Sequence, residues 1–183
     1  MTIRKFLLAV LAFSLLALWG CGKSNSVPSS NSVAGTTPTP ADPNVPSALP
    51  DNAFKAVLTV IDPPAKLRTG QRETIQVKVK NASDVLWYAR GATVNLNSDN
   101  KFYLAVGNRW LEAGGQKLVT DMDGRYGLNR DLKPGEETEV PLVINAPKNA
   151  GDYVLELDLV QEQVAWFSDK GSTTARVNIK VER

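Results

Sequence analysis

The sequence predicts an all-β fold, two antiparallel sheets packed as a sandwich, on three observations. Apolar residues recur at every second position through most of the chain after Asp51. Clusters of Pro, Gly, Asn and Asp interrupt that alternation at short intervals, and no window carries a helical period long enough to matter. The 43% apolar and 22% charged content is that of a globular protein, so the chain can build a core.

The strands follow in order. Phe54–Ile61 comes first, and "ETIQVKVKN" then sets Ile75, Val77 and Val79 on one face with Thr74, Gln76, Lys78 and Lys80 on the other. Further strands are expected around Thr93–Leu96, Phe102–Val106 and Gln116–Thr120. "TEVPLVINAP" alternates through Val140, Leu142 and Ile144. Asp152–Val160 turns Tyr153, Leu155, Leu157 and Leu159 inward and Glu156 and Asp158 outward. The last strand, "TTARVNIKVE", does the same with Ala175, Val177, Ile179 and Val181. The turn segments between them are "DPP", "KPGEE", "PKNAGD" and "DKGS". Seven to nine short strands at this spacing, in about 130 residues, predict an immunoglobulin-like sandwich over residues 51–183.

The parity of one segment changes. After Leu159 the apolar residues reappear at Val164 and Trp166, on the opposite phase. A one-residue β-bulge at Gln161–Gln163 is the smallest change that reverses facing. It would let Val164 and one of Trp166 or Phe167 close the core while the other lies at the surface.

The N-terminal segment is an address. Arg4 and Lys5 precede an apolar run from Phe6 to Leu18, whose 13 residues fall short of the roughly 20 that span a bilayer. Residues 1–20 are expected to be a cleaved signal peptide. The ending "LWGC" resembles a bacterial lipobox, which implies cleavage before Cys21 and acyl chains on that residue. Two or more chains make anchoring stable. Gly22 is not the aspartate associated with inner-membrane retention in enteric-type bacteria, which points to the outer membrane. Residues 21–50 carry six of the eleven prolines and hardly any large apolar group, so after Cys21 a disordered linker is expected.

Charge and composition exclude whole classes. Arg4 and Lys5 are the only charged residues before Cys21. Without them the 21 basic residues fall to 19, against 19 acidic ones. A neutral surface has no counterion-release drive toward nucleic acid. The absence of His and the single Cys remove Cys/His zinc sites, Ser-His-Asp and Cys-His nucleophiles, and any internal disulfide. No metal or cofactor is expected. "DMDGRYGLNRD" holds Asp121, Asp123 and Gly124, a fragment of a calcium loop lacking the later ligands and the terminal Glu, and is expected to be a plain turn. Glu136, Glu137, Glu156 and Asp158 are expected to be solvated.

The run "LKPGEETEVPLVINAPKNAGDYVLELDLVQ" looks like the closing half of bacterial Ig-like domains. With "NASDVLWYARG", "VGNRWL" and "LVQEQVAWFSDKG" it resembles an Ig-like accessory module found beside bacterial glycosyltransferases and in envelope-related proteins. Tyr88 and Gln163 stand where that family has proline and glycine. The resemblance implies a non-catalytic domain.

Candidate binding residues are therefore aromatic and polar. Trp87, Trp110 and Trp166 with Phe167 could form a stacking platform for sugar rings, and Arg90, Asn108, Arg109, Gln161 and Glu162 could supply hydrogen bonds. The alternative is that the tryptophans cap the core, with each indole N–H finding a partner. The expected activity is binding from the membrane through Cys21, to an envelope protein or a glycan. The rivals are a carbohydrate-binding module, an assembly subunit pairing through a sheet edge, and an enzyme with two carboxylates converging in a cleft.

Overall fold

The computed structural model describes residues 47–89 and 101–183. The signal segment, Cys21, most of the expected linker, Arg90 and the strand expected at Thr93–Leu96 lie outside the described residues.

Nine strands form two sheets among the described residues. They are β1 (Ala56–Ile61), β2 (Lys66–Arg68), β3 (Arg72–Asn81), β4 (Leu104–Glu112), β5 (Leu118–Gly127), β6 (Glu137–Asn145), β7 (Gly151–Gln161), β8 (Ala165–Trp166) and β9 (Ala175–Glu182). One sheet has the order β1-β3-β6. The other has the order β2-β9-β7-β4-β5, with β8 added beside β7. All pairs are antiparallel except β2 with β9. Early and late strands share each sheet, and the chain crosses between sheets after β1, β2, β3, β5 and β6. This is the immunoglobulin-like sandwich.

The alternating strands face as their sequence demands. Ile75, Val77 and Val79 of β3 and Val140, Leu142 and Ile144 of β6 are buried against Leu155, Leu157 and Leu159 of β7 and Leu104, Val106 and Trp110 of β4. Burying such a side chain is worth about 1.5–3 kcal/mol each. This places the core between the sheets.

β5 differs from the expected turn. Three residues, Asp121 to Asp123, stand opposite Arg109 alone, because Thr120 pairs with Trp110 and Gly124 with Asn108. The Asp-Gly segment is thus a bulged strand. Its composition suits a turn and a bulge equally, since both need residues that tolerate a broken ladder. Gly124 is required there: a Cβ on it would collide with the Val143 carbonyl of β6. Asp123 closes the same edge, accepting from the Asn145 backbone N–H at 2.6 Å and from its amide Nδ2 at 3.0 Å.

The parity change is a hairpin. β7 ends at Gln161, and β8 folds back on it with Gln161 opposite Ala165 and Val160 opposite Trp166. The Val164 N–H donates to the Gln161 carbonyl across the turn, and Gln163 takes a φ of 59°. That is the left-handed region where glycine is at ease. The expected bulge is therefore corrected. A three-residue loop reverses the chain and returns it on the same two faces. Val164 is exposed at the loop tip and does not close the core.

Candidate functional site

The outer face of the larger sheet carries the site. Along β7 the residues Glu156, Asp158 and Val160 point away from the core, alternating with the leucines that point in. Their partners on β4 are Arg109, Gly107 and Ala105, in that order. Beyond Gly107 on β5 stands Arg125, and beyond Glu156 on β9 stands Arg176. An outer sheet face is normally wet, yet Glu156 is 4% and Asp158 3% exposed. The expectation that these two are solvated is corrected. Long arginine side chains and the β7–β8 hairpin cover the row, contacts that strand periodicity cannot show.

Each buried carboxylate is satisfied. Glu156 Oε1 meets Arg109 Nε at 2.7 Å. Its Oε2 accepts from Arg176 Nε at 2.5 Å and from the Thr174 hydroxyl at 3.1 Å. Asp158 accepts the Leu159 N–H at 2.8 Å and the Ser168 N–H at 3.2 Å. Burial pushes the Asp158 carboxyl above its usual range, against the opposing pull of the Ser168 and Leu159 hydrogen bonds and of Arg109. Glu162 is buried at the turn and ion-paired with Arg125, at 3.0 and 3.1 Å. Burial raises it too, opposed by that guanidinium.

Trp166 and Phe167 separate at the hairpin, as neighbours on a strand must. Phe167 enters the core, fully buried, with edge-on contacts to Phe54 at 4.9 Å and Trp87 at 5.2 Å. Trp166 lies half-buried on the outer face, its ring edge on Gly107, where a Cβ would come within 2.7 Å. The Arg125 guanidinium sits 5.0 Å from the Trp166 ring centroid, within cation–π range.

A cleft of about 80 Å³ opens beside Trp166, lined by Gly107, Asn108, Arg109, Asp121, Glu156 and Asp158. Asp121 arrives from the β5 bulge. On the Arg125 side of the hairpin Trp166 also lines a second, shallower cleft with Glu162, Gln163 and Val164.

The expected binding residues therefore divide. Trp166 and Arg109 meet at the cleft, while Glu162 stands behind the hairpin with Arg125. Trp87 and Trp110 are fully buried and take no part in a surface platform. Their indole N–H groups make no hydrogen bond with any described residue, contrary to the partner expected for a buried indole. Phe167 is core. Asn108 is buried beside Gly124, and its amide likewise makes no hydrogen bond with a described residue. Gln161 is a structural tie: its amide donates to the Ser47 carbonyl at 2.8 Å and the Phe102 carbonyl at 2.9 Å, and accepts from the Leu49 N–H at 2.9 Å. Packing thus reaches upstream of Asp51 to Ser47. Sequence reasoning missed Gly107, Arg125 and Arg176, and read Asp121 as part of a plain turn. Only the small residue in "VGNRWL" signalled that something lies close to the backbone there.

No protein-family model matches the chain, and no curated protein matches it. Among solved structures the chain is similar to the CARDB domain of a Pyrococcus furiosus protein, a crystal structure in complex with di-metal ions. The identity is 14% over 69% of this chain and 90% of that one, with a TM-score of 0.40. It is similar to the sporulation control protein Spo0M of Bacillus subtilis, at 14% identity over 70% of this chain and 49% of that one, TM-score 0.40. It is also similar to a β-glucosidase of Listeria innocua in complex with glucose, at 13% identity over 70% of this chain and 16% of that one, TM-score 0.40. No functional inference follows from likeness at these values.

Proposed function

We propose that this chain is a membrane-anchored binding lipoprotein of the bacterial cell envelope, tethered through lipid on Cys21 and acting without catalysis. The observation that carries the reading is the order of parts at the N-terminus: Arg4-Lys5, the apolar run from Phe6 to Leu18, then "LWGC". No helix among the described residues is long and apolar enough to cross a membrane; the anchor in this reading is the acyl chains on Cys21.

The outer face supports binding over chemistry. Asp121, Glu156 and Asp158 do converge on one cleft, the arrangement an enzyme with carboxylate chemistry would need. Glu156, however, is held by two guanidiniums and a hydroxyl, a fixed structural ion pair. The cleft is small, about 80 Å³.

The carbohydrate reading retains one ring, since Trp166 alone among Trp87, Trp110 and Trp166 reaches the surface. An assembly subunit would pair through β1, an edge strand on which Val57 is exposed. Membrane fractionation tests the tether: the wild-type chain is expected in the membrane fraction and Cys21→Ser in the soluble or uncleaved pool. A serine variant that stays in the membrane after cleavage contradicts it.

A further inference from the structure

We propose that the cleft between Trp166 and the Glu156–Asp158 row binds a cationic head group, an ammonium or a guanidinium, seated against the Trp166 ring. This deepens the binding reading above by naming the ligand class, and it is independent of the tether.

Three observations on the outer face converge on a cation. First, the Trp166 ring is already used this way, because Arg125 lies over it at 5.0 Å while its guanidinium is paired with Glu162. Trp166 is the wall shared by two clefts, and Arg125 lines only one of them. The other offers the same chemistry, an indole with carboxylates beside it, and Arg125 does not fill it. An indole attracts cations through its quadrupole, and more strongly once desolvated.

Second, the charge lining this cleft is unbalanced. Asp121, Glu156 and Asp158 face it against Arg109 alone. Arg176 stands on the far side of Glu156 and completes that residue's neutralisation, with Arg109 on Oε1. Asp158 and Asp121 are left to answer an incoming positive charge. Asp158 accepts hydrogen bonds from Ser168 and the Leu159 N–H, none of them from a cationic side chain, and Asp121 is solvent-exposed. The two guanidiniums of Arg109 and Arg176 stand against the three carboxylates of Glu156, Asp158 and Asp121, and the net negative charge that remains disfavours carboxylates and phosphates.

Third, size selects the head group. About 80 Å³ accommodates an ammonium or a planar guanidinium with its first methylene. The floor is fixed: Gly107 lets the Trp166 edge reach the sheet, and any side chain there would push the ring outward and remake the cleft.

The test is ligand-observed saturation-transfer NMR on the full-length chain in detergent, with methylguanidinium, methylammonium and glucose as probes at fixed ionic strength. Both cations are expected to show saturable transfer, and glucose none. Asp158→Asn and Asp121→Asn should each weaken cation binding about tenfold, the scale of losing a hydrogen bond to a charged group. Glu139→Gln, an exposed carboxylate on β6 in the other sheet, should leave it unchanged. Asp121 is exposed, so its variant keeps the test decisive if Asp158→Asn misfolds. Agmatine and N-acetylarginine amide separate a free amine from a peptide side chain as the source, and tighter binding of either supports the cation class. The proposal is overturned by unsaturable transfer to both cations, by binding that survives both aspartate variants, or by glucose binding in their place. Membrane fractionation of Cys21→Ser reads the tether separately, so failure here leaves that reading standing.

Discussion

The six-membered edge of Trp166 rests on the backbone of Gly107, so close that a Cβ at Gly107 would lie 2.7 Å from the ring. This contact couples β4 to the β7–β8 hairpin and sets the wall of the cleft. Gly107→Ala is therefore expected to destabilise the fold by about 1–3 kcal/mol, the scale of overpacking. In a Trp166→Ala background the same change should cost almost nothing. A double-mutant cycle in urea gives the coupling directly, and additive effects would show that the contact carries no energy.

The adjacent aromatics should behave unlike one another. Phe167 fills the space between Phe54 and Trp87, and its removal leaves a cavity in the core. Phe167→Ala is expected to cost about 3–5 kcal/mol. Trp166→Ala, at a half-buried outer position, should melt much closer to wild type while losing whatever binds at the cleft. Equal losses in thermal melts would contradict the separation of the two faces.

Gln163 holds a φ of 59° at the hairpin tip. A β-branched residue resists that conformation most strongly. Gln163→Gly is expected to melt at or above wild type, and Gln163→Val below it by about 1–3 kcal/mol. The reverse order in differential scanning calorimetry would contradict the left-handed turn.

These residues also show how far the sequence is legible. Alternation places Ile75, Val77 and Val79, Leu155, Leu157 and Leu159, and Ile179 and Val181 inside, because a strand's facing is a local property of the chain. The reversal after Leu159 is equally visible, but a one-residue bulge and a three-residue hairpin loop give the same change of phase. Pairing partners, which lie elsewhere in the chain, distinguish them. The burial of Glu156 and Asp158 is illegible for the same reason. Their covering groups, Arg109, Arg176 and Trp166, come from three other strands. The surface set of three tryptophans fails because indole size alone does not say which side of a strand is wet.

Asp158 gives the fold a pH dependence of definite sign. Burial disfavours its ionised form, so the folded chain binds that proton more tightly than the unfolded chain does. Its contribution to stability is fully present below the ordinary carboxyl value of 3.8 and is lost as pH rises through the raised folded value. Glu162 acts in the same direction from its ordinary value of 4.5. The stability of wild type minus that of Asp158→Asn is therefore expected to rise as pH falls from neutrality toward 3.8. Urea midpoints at a series of pH values check this, and a difference that shrinks on acidification would contradict it.

Gln161 binds the entry of the chain to the end of β7 through Ser47 and Leu49. Gln161→Ala is expected to cost about 1–3 kcal/mol, because it strands the part-buried backbone groups of Leu49 and Phe102. A chain beginning at Asp51 should lose a comparable amount against one beginning at Gly22. Identical melting temperatures for those two chains would show that Ser47–Leu49 contributes nothing.

Intact-mass spectrometry of the N-terminal peptide, purified from a bacterial membrane, tests the central claim most directly. The account predicts a mature chain beginning at Cys21 and carrying diacylglyceryl on its sulfur, with that species absent from Cys21→Ser. A peptide beginning at Met1, or at Cys21 with a free thiol, would contradict it.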